Sequence, residues 1–413
     1  MPATLLTNIK QLVSVRPQTP ALRGADLAVL PCIENAWLLI EDGIIAGCGP
    51  MKELPPVSRQ LATVNCEGRF ILPAWCDSHT HLVFAASREA EFIDKIKGLS
   101  YAEIAARGGG ILNSARRLQD TGEDELFRLA WARLEELNRL GTGAIEIKSG
   151  YGLTVEGELK MLRVIKKLKE KSAVSIKASF LGAHTYPSQY KDNHQGYIDL
   201  IINEMLPVIA GEKLADYIDV FCEEGFFSPE ETTTICRAGM RHGLKPKIHA
   251  NQLQLSGGTQ AGVALGAVSV DHLETMDADA ISALAGSPTI GTLLPTAAFF
   301  LRMPFQPARA LANAGCAIAL ASDFNPGSSP SGNMNLVVSM ACIQMKLLPE
   351  EAINAATLNG AHAMELGQEL GSITTGKKAN LILTRPIPSL AYLPYAFGSN
   401  LVEKVMIAGQ WIN

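Results

Sequence analysis

Two histidines separated by one residue, His79 and His81, follow an apolar run from Phe70 to Cys76. If this run is a β-strand, both imidazoles project from the same face, because alternate residues of a strand share a face. Imidazole is a common ligand of zinc and iron, and a pair held on a rigid strand loses little rotamer entropy on binding. The spacing indicates half of a metal site, although pairs of this kind also occur by chance on surface strands.

Other polar residues with useful chemistry recur where further apolar runs end. Of the eight histidines, five lie at such ends: His79, His81, His184, His249 and His272. Lys148, Tyr151, Glu223, Glu224 and Asp323 occupy similar positions. The remaining histidines fall on or beside predicted helices, where we interpret them as surface or packing residues: His194, His242 and His362.

Four of these residues are the candidate metal ligands: His79, His81, His249 and Asp323. Three imidazoles and one carboxylate suit Zn²⁺ or Fe²⁺ better than Mg²⁺ or Ca²⁺, whose sites prefer oxygen. An ion of this kind lowers the pKa of a bound water from about 15.7 towards roughly 7. The pattern therefore predicts metal-assisted hydrolysis with one zinc or iron ion per chain.

The strands that must position these residues alternate with amphipathic helices. Strand character is found in eight runs: Ala74–His81, Gly143–Lys148, Val174–Leu181, Tyr217–Cys222, Lys245–His249, Val268–His272, Thr289–Leu293 and Ala317–Ala321. Helical periodicity is clearest in Glu123–Leu140, Val155–Lys169 and Tyr197–Ile209. This alternation predicts an α/β fold, a (β/α)8 TIM barrel whose chemistry collects at the carboxyl ends of its strands. A doubly wound open sheet is the alternative, but no GxGxxG motif follows the first strand.

Both ends of the chain have short β-like runs, such as Ala36–Ile40 near the start and Ala379–Thr384 near the end. We therefore predict a small composite β-sandwich domain built from residues 1–72 and 375–413, around a barrel at residues 73–374.

The composition favours a small-molecule partner. The chain has 413 residues, of which 47% are hydrophobic and 19% charged, and a formal charge of -5. This balance is typical of a soluble globular protein and provides no basic field for nucleic acid or an anionic membrane. There is no secretory signal pattern and no apolar run of the roughly 20 residues that a membrane helix needs. The eight cysteines are scattered without a CxxC pair, so we expect reduced thiols and a cytoplasmic location.

Several longer strings resemble a known family. Asp77-Ser78-His79-Thr80-His81, with His249, His272 and a late Ser322-Asp323, resembles the amidohydrolase superfamily of metal-dependent hydrolases. Within it, the chain is similar almost end to end to the imidazolonepropionase family of cyclic-amide hydrolases. The strings that carry this resemblance are His81–Ala85 with Arg88, Gly108–Leu112, Glu146–Leu153, Phe180–His184 and Ser322–Pro330.

The resemblance implies a substrate and a role for each site residue. The reaction would open the ring of 4-imidazolone-5-propanoate to N-formimidoyl-L-glutamate in histidine degradation. Asp323 would move the proton of the attacking water, and His272 would polarise the carbonyl or shuttle protons without binding the metal. The implied substrate-binding residues are Arg88 on the carboxylate, Tyr151, His184 and Gln252 on the ring, and Asn325, Gly327 and Ser328 on the propionate and product ends. The family also suggests a homodimer.

Some of these assignments have alternatives. Arg88 could instead form a surface ion pair with Glu89 or Glu91, and Asn325–Ser328 could be only a turn. Gln252 stands where some relatives have a proton-shuttling glutamate, and an amide cannot do that work. Lys148 could be a carbamylated ligand of two metals, but an internal ion pair with Glu146 on the same strand face is favoured.

Two rival functions stay open at this point. One is a different amidohydrolase, such as a purine or pyrimidine aminohydrolase, which would share the metal ligands. The other is a catalytically silent barrel that serves as a scaffold, although such proteins typically lose ligands. The glycine triplet at 108–110 is interpreted as a helix stop, or as a hinge beside the pocket.

Overall fold

The structure contains two sheets of eight strands each. It is a computed structural model that describes residues 3–56, 61–99, 103 and 109–412. The first sheet joins the two ends of the chain. Its strands are β1 (Thr4–Val13), β2 (Cys32–Glu41), β3 (Ile44–Pro50), β4 (Ala62–Asn65), β5 (Phe70–Pro73), β14 (Leu381–Thr384), β15 (Val402–Ile407) and β16 (Gln410–Ile412). The second sheet is the barrel. Its strands are β6 (Trp75–Thr80), β7 (Thr142–Lys148), β8 (Ser175–Ala183), β9 (Tyr217–Cys222), β10 (Lys245–Ala250), β11 (Ser269–His272), β12 (Ile290–Leu293) and β13 (Ile318–Leu320).

The predicted barrel is confirmed, and each of its eight predicted strands is present. Strands β6 to β13 pair in parallel and in chain order. The sheet closes where the chain leaving β13 meets β6: Thr80 forms a parallel bridge with Phe324, and the His81 amide donates to the Phe324 carbonyl at 2.9 Å. These strands are buried on both faces, as expected when helices cover a parallel sheet.

The helices fill the intervals between strands. They are α1 (Glu89–Ile96), α2 (Ile111–Asp120), α3 (Glu123–Arg139), α4 (Val155–Lys171), α5 (His194–Leu200), α6 (Leu206–Glu212), α7 (Pro229–Arg241), α8 (Gly258–Ala264), α9 (Ala278–Ala285), α10 (Pro295–Leu301), α11 (Ala308–Asn313), α12 (Met334–Ile343), α13 (Pro349–Asn354), α14 (Gly360–His362) and α15 (Tyr392–Tyr395). The helix expected over Tyr197–Ile209 differs from the prediction, since a π-helical turn at Ile201–Met205 separates α5 from α6. No helix in the described ranges combines the length and the apolar character that a membrane span requires.

The chain ends pair into one small sheet, as predicted. Strand β5 pairs in parallel with β1 and antiparallel with β14, where Leu72 faces Ile382. This sheet packs its own core, which includes Leu6, Ile9 and Met406. Only Ala74 separates β5 from β6, and its amide donates to the Asn380 carbonyl at 2.9 Å. The sheet of the chain ends therefore runs directly into the strand that carries the histidine pair.

A buried lysine lies where this sheet meets the barrel. The Lys377 ammonium donates to the carbonyls of Gly367 and Leu370 at 2.5 and 2.8 Å, and burial lowers its pKa from 10.5 to about 8. Between these two values the unfolded chain holds a proton that the folded chain has released, so stability rises with pH.

We expect the free energy of unfolding of the wild type to increase relative to Lys377→Met between pH 8 and 10.5. The slope should stay below the about 1.4 kcal/mol per pH unit that one full proton would give. Urea unfolding of both chains at several pH values measures it. A difference that stays flat or falls across this range would contradict the prediction.

Candidate active site

The four predicted metal ligands converge at the carboxyl ends of the barrel strands. His79 lies on β6 and His81 just after it, His249 lies on β10, and Asp323 follows β13. One ligand atom from each of His79, His81 and His249 lies within 4.8 Å of the others, and the same holds for His79, His272 and Asp323. Asp323 Oδ1 is 3.5 Å from Nε2 of both His79 and His81. All of these side chains are buried.

Their unsatisfied nitrogens fit a cation. His79 Nε2 and His249 Nε2 are buried and have no hydrogen-bond partner among the described residues, and His81 presents its Nε2 to the same oxygen of Asp323 as His79 does. A buried polar atom left without a partner costs about 1–3 kcal/mol, a cost that a bound metal ion removes. Burial also holds the pKa of His79 well below 6.5 and lowers that of His249, which keeps both imidazoles in the neutral form that binds metals. Three imidazoles and a carboxylate are a donor set for zinc or iron.

Two aspartates orient the metal-facing histidines, and the sequence analysis missed both. Asp271 Oδ2 lies 2.6 Å from His79 Nδ1, and Asp219 Oδ1 lies 3.0 Å from His249 Nδ1. A carboxylate on Nδ1 fixes the tautomer that turns Nε2 towards the site. The available signal was an acidic residue inside each of two buried barrel strands, β9 and β11.

The predicted ion pair between Lys148 and Glu146 is present, with the ammonium 2.6 Å from Oε1. The same ammonium lies 2.7 Å from Asp219 Oδ2 and 3.4 Å from Asp271 Oδ2. Burial alone would lower the pKa of Lys148, but Asp219, Glu146 and Asp271 together raise it above its ordinary value. Lys148 is therefore an ammonium within a buried charge cluster that also includes Lys247, which pairs with Glu146.

His272 lies beside the metal-facing histidines, with its ring centroid 5.4 Å from that of His79. Its Nδ1 is 3.5 Å from Glu274 Oε1, and the same oxygen accepts a hydrogen bond from Gln306 Nε2 at 2.9 Å. Burial lowers the pKa of His272, but the Glu274 carboxylate outweighs burial and leaves it above 6.5. Glu274 and Gln306 were not identified from the sequence, because neither lies in a motif.

The predicted ring-binding residues surround His81. The His184 ring stacks at 5.4 Å from the His81 ring, and the Tyr151 ring lies 5.9 Å from it. His184 Nδ1 donates to the Gly150 carbonyl at 3.0 Å, which leaves Nε2 as an acceptor. Gln252 follows β10 and is largely buried, and its amide makes no hydrogen bond within the described part of the chain. Its donor and its acceptor are therefore available to a ligand.

Arg88 forms an ion pair with Glu91, which was the alternative to substrate binding. The pair uses only Nε and Nη2 of the guanidinium. Its Nε and Nη2 donate to Glu91 Oε2 at 2.8 and 2.5 Å, whereas Glu89 pairs with Ser87. Glu91 Oε1 in turn accepts the Gly110 amide at 3.0 Å. Arg88 Nη1 lies against Gly327, where an added Cβ would come within 2.2 Å of it. The ion pair therefore positions Arg88 and leaves Nη1 facing the loop after β13.

That loop is a tight turn organised by Asn325. Its side-chain oxygen accepts the amides of Gly327 and Ser328, both at 2.8 Å, and its nitrogen donates to the Asp323 carbonyl at 2.6 Å. The Ser328 hydroxyl is 3.3 Å from Asp323 Oδ2, so the turn also orients the aspartate. The turn interpretation of Asn325–Ser328 is thus correct, and it places these residues beside Arg88 and Asp323.

The remaining sequence expectations concern residues away from this centre. His362 Nε2 donates to the Thr19 carbonyl at 2.7 Å, as expected of a packing residue. His194 and His242 lie at the ends of α5 and α7. All eight cysteines are free thiols. Gly110 precedes α2 with a φ of 83°, whereas Gly108 lies outside the described residues.

Comparison with known proteins gives one family description and many full-length relatives. A model of the amidohydrolase family matches residues 227–412. An imidazolonepropionase of Flavobacterium johnsoniae is 59% identical over 99% of this chain and 100% of its own length. Proteins of the same name from Christiangramia forsetii and Thermoanaerobacter pseudethanolicus are 55% and 40% identical, over 99% and 97% of this chain and 99% and 96% of their own lengths.

Solved structures agree on the fold. The guanine deaminase of E. coli superposes with a TM-score of 0.74 at 14% identity, over 100% of this chain and 99% of the other. An adenosine deaminase from Xanthomonas campestris, crystallised with bound zinc, gives a TM-score of 0.69 at 18% identity, over 99% and 92% of the two chains. At these identities the likeness supports the architecture alone.

Proposed function

This chain belongs to the imidazolonepropionase family of amidohydrolases, and on that premise we propose that it hydrolyses the cyclic amide of 4-imidazolone-5-propanoate. The product is N-formimidoyl-L-glutamate, and the reaction is a step of histidine degradation. The same premise supports a cytoplasmic enzyme that acts as a homodimer. The observation that carries the proposal is the buried cluster of unpartnered imidazole nitrogens beside Asp323, with Arg88 across the adjoining turn.

We assign one zinc or iron ion per chain to His79, His81, His249 and Asp323. When bound, the ion lowers the pKa of a water and provides positive charge next to the substrate carbonyl. The ammonium state of Lys148, held by three carboxylates, argues against a carbamylated lysine and hence against a second ion.

The substrate carries a carboxylate and a planar ring, and two groups of residues match them. Arg88 Nη1 offers a donor to the propionate beside Gly327, and Lys95 adds a second positive charge there, with its ammonium 3.3 Å from the Gly327 carbonyl. Tyr151, His184 and Gln252 contact the ring. Asn325 and Ser328 shape the wall between the propionate and the reacting carbonyl.

Protons move through Asp323 and His272. The Asp323 carboxylate, oriented by Ser328, accepts the proton of the attacking water and passes it to the leaving ring nitrogen. His272, held by Glu274, donates a hydrogen bond to the carbonyl oxygen as negative charge develops on it. Gln252 takes no part in proton transfer, because a neutral amide does not exchange a proton at this pH.

Turnover of 4-imidazolone-5-propanoate, with metal content measured on the same sample, tests this function. We expect product formation and about one zinc or iron ion per chain. Ammonia release from guanine or cytosine, without turnover of the imidazolone, would instead identify an aminohydrolase. A chain that is folded, free of metal and inactive would indicate the scaffold alternative.

The role of Arg88 predicts a defect in binding. Arg88→Lys should raise KM about 10- to 100-fold and change kcat by less than about threefold, because lysine replaces the planar guanidinium by a single point charge. Steady-state kinetics measure both constants. Arg128→Lys is the matched control, because Arg128 forms an exposed pair with Glu125 at the same sequence separation. A lowered kcat with an unchanged KM would contradict a carboxylate-binding role.

A further inference from the structure

One buried ammonium joins the two carboxylates that orient the metal-facing histidines. The Lys148 ammonium is 2.7 Å from Asp219, which accepts from His249, and 3.4 Å from Asp271, which accepts from His79. Lys148 ends β7, and its side chain has no exposure to solvent. The ammonium donates hydrogen bonds to Asp219 and, at 2.6 Å, to Glu146, and Asp271 is its third ion-pair partner.

The two aspartates need such a partner. Both are fully buried, both bear negative charge, and they come from different strands, β9 and β11, on either side of β10. Like charges at this burial repel strongly, and each carboxylate would otherwise turn towards a different donor. Ser269 holds the other oxygen of Asp271, Oδ1, at 2.5 Å, so Oδ2 is the oxygen that faces both His79 and Lys148.

We propose that Lys148 is a positioning residue for the metal centre: by binding Asp219 and Asp271 together, it aims the Nε2 atoms of His249 and His79 at a single ion. This inference rests on the metal site of the proposed function. On this proposal, one lysine on β7 aligns the ligands on β6 and β10. It acts through the two aspartates and not by direct contact with the ligands.

The chain offers a matched control in Lys247. This lysine is equally buried and belongs to the same charge cluster, but its ammonium pairs with Glu146 and donates to the carbonyls of Ser78 and Ala363. Within the described residues it forms no ion pair with either aspartate, although its charge lowers the pKa of Asp271 at least as strongly as that of Lys148 does. Lys148→Met and Lys247→Met therefore remove the same charge from the same cluster, and only the first removes the contact to both aspartates.

The experiment measures zinc affinity of the full chain by competition with a chromogenic chelator, together with the visible absorption of the cobalt-substituted protein. We expect Lys148→Met to weaken zinc binding about 10- to 100-fold and to change the cobalt bands. Lys247→Met should stay within about threefold of the wild type and keep its bands, because this lysine makes no contact with Asp219 or Asp271, the residues that hold the imidazoles. If the methionine variants do not fold, Lys148→Gln and Lys247→Gln make the same comparison with a polar side chain.

The outcomes separate this inference from the proposed function. Equal losses of affinity in the two variants would overturn it, because the charge of the cluster, and not the contact to the aspartates, would then matter. Unchanged affinity and bands in Lys148→Met would also overturn it. A wild-type chain that binds no metal would instead refute the proposed function itself.

Discussion

His249→Ala is expected to leave the chain with less than about a tenth of the wild-type metal and to lower turnover at least about 10³-fold. His249 is the proposed ligand from the far side of the barrel: it lies on β10, whereas His79 and His81 both belong to the β6 segment. Without it, the remaining imidazoles come from one strand and cannot surround an ion. Metal analysis and kinetics on the same preparation measure both effects.

The matched control for this variant is His242→Ala. His242 follows α7 at the surface, away from the barrel mouth, so its removal should change neither metal content nor turnover. Removal of metal from the wild type with a chelator should reproduce the loss seen in His249→Ala, and added zinc or iron should restore only the wild type. An active His249→Ala chain with a full complement of metal would refute the ligand assignment.

Asp323→Asn should lower kcat about 10²- to 10⁴-fold while much of the bound metal is retained. The amide has nearly the shape of the carboxylate, so it can keep the contact to Ser328 and one oxygen towards His79 and His81. It cannot accept the proton of the attacking water. The loss should therefore appear in kcat, with a smaller change in KM.

Asp199→Asn serves as the control for the chemical change itself. Asp199 is exposed on α5 and bonded only to Gln195 among the contacts that the structure gives it, so normal kinetics are expected. A fully active Asp323→Asn chain with its metal in place would assign the proton transfer to another group. His272 would then be the first residue to examine, since its imidazole lies next to the same site.

The barrel could be predicted, and its candidate metal ligands proposed, because their signals are local. Each buried strand is an apolar run that ends in a polar residue, and parallel strands in a barrel bring those ends together. The partners of the ligands could not be predicted in the same way. Asp219 and Asp271 lie within strands, where the sequence indicates burial but does not indicate which imidazole of another strand donates to the carboxylate.

The sequence also could not show how one side chain divides its hydrogen bonds among several partners. For Arg88, ion pairing and substrate binding were alternatives, and the structure divides the guanidinium between Glu91 and the face next to Gly327. The Asn325–Ser328 segment was similarly either a turn or a binding segment, and here the turn itself orients Asp323. In both cases the two interpretations are compatible, because the contacts that hold the side chains also leave them beside the candidate site.

The direct passage from β5 through Ala74 into β6 gives the small terminal sheet a part in the chemistry. Within the barrel, the pairing of β6 with β7 is irregular, with shifts near Trp75 and Asp77, whereas β5 pairs with β14 in unbroken succession from Ile71 to Pro73. A slip of one residue along β6 would send His79 and His81 to the opposite face. A barrel without its terminal strands would keep all the candidate ligand residues. It would lose the β5–β14 pairing that fixes the register of β6 and so the direction in which the histidine pair points.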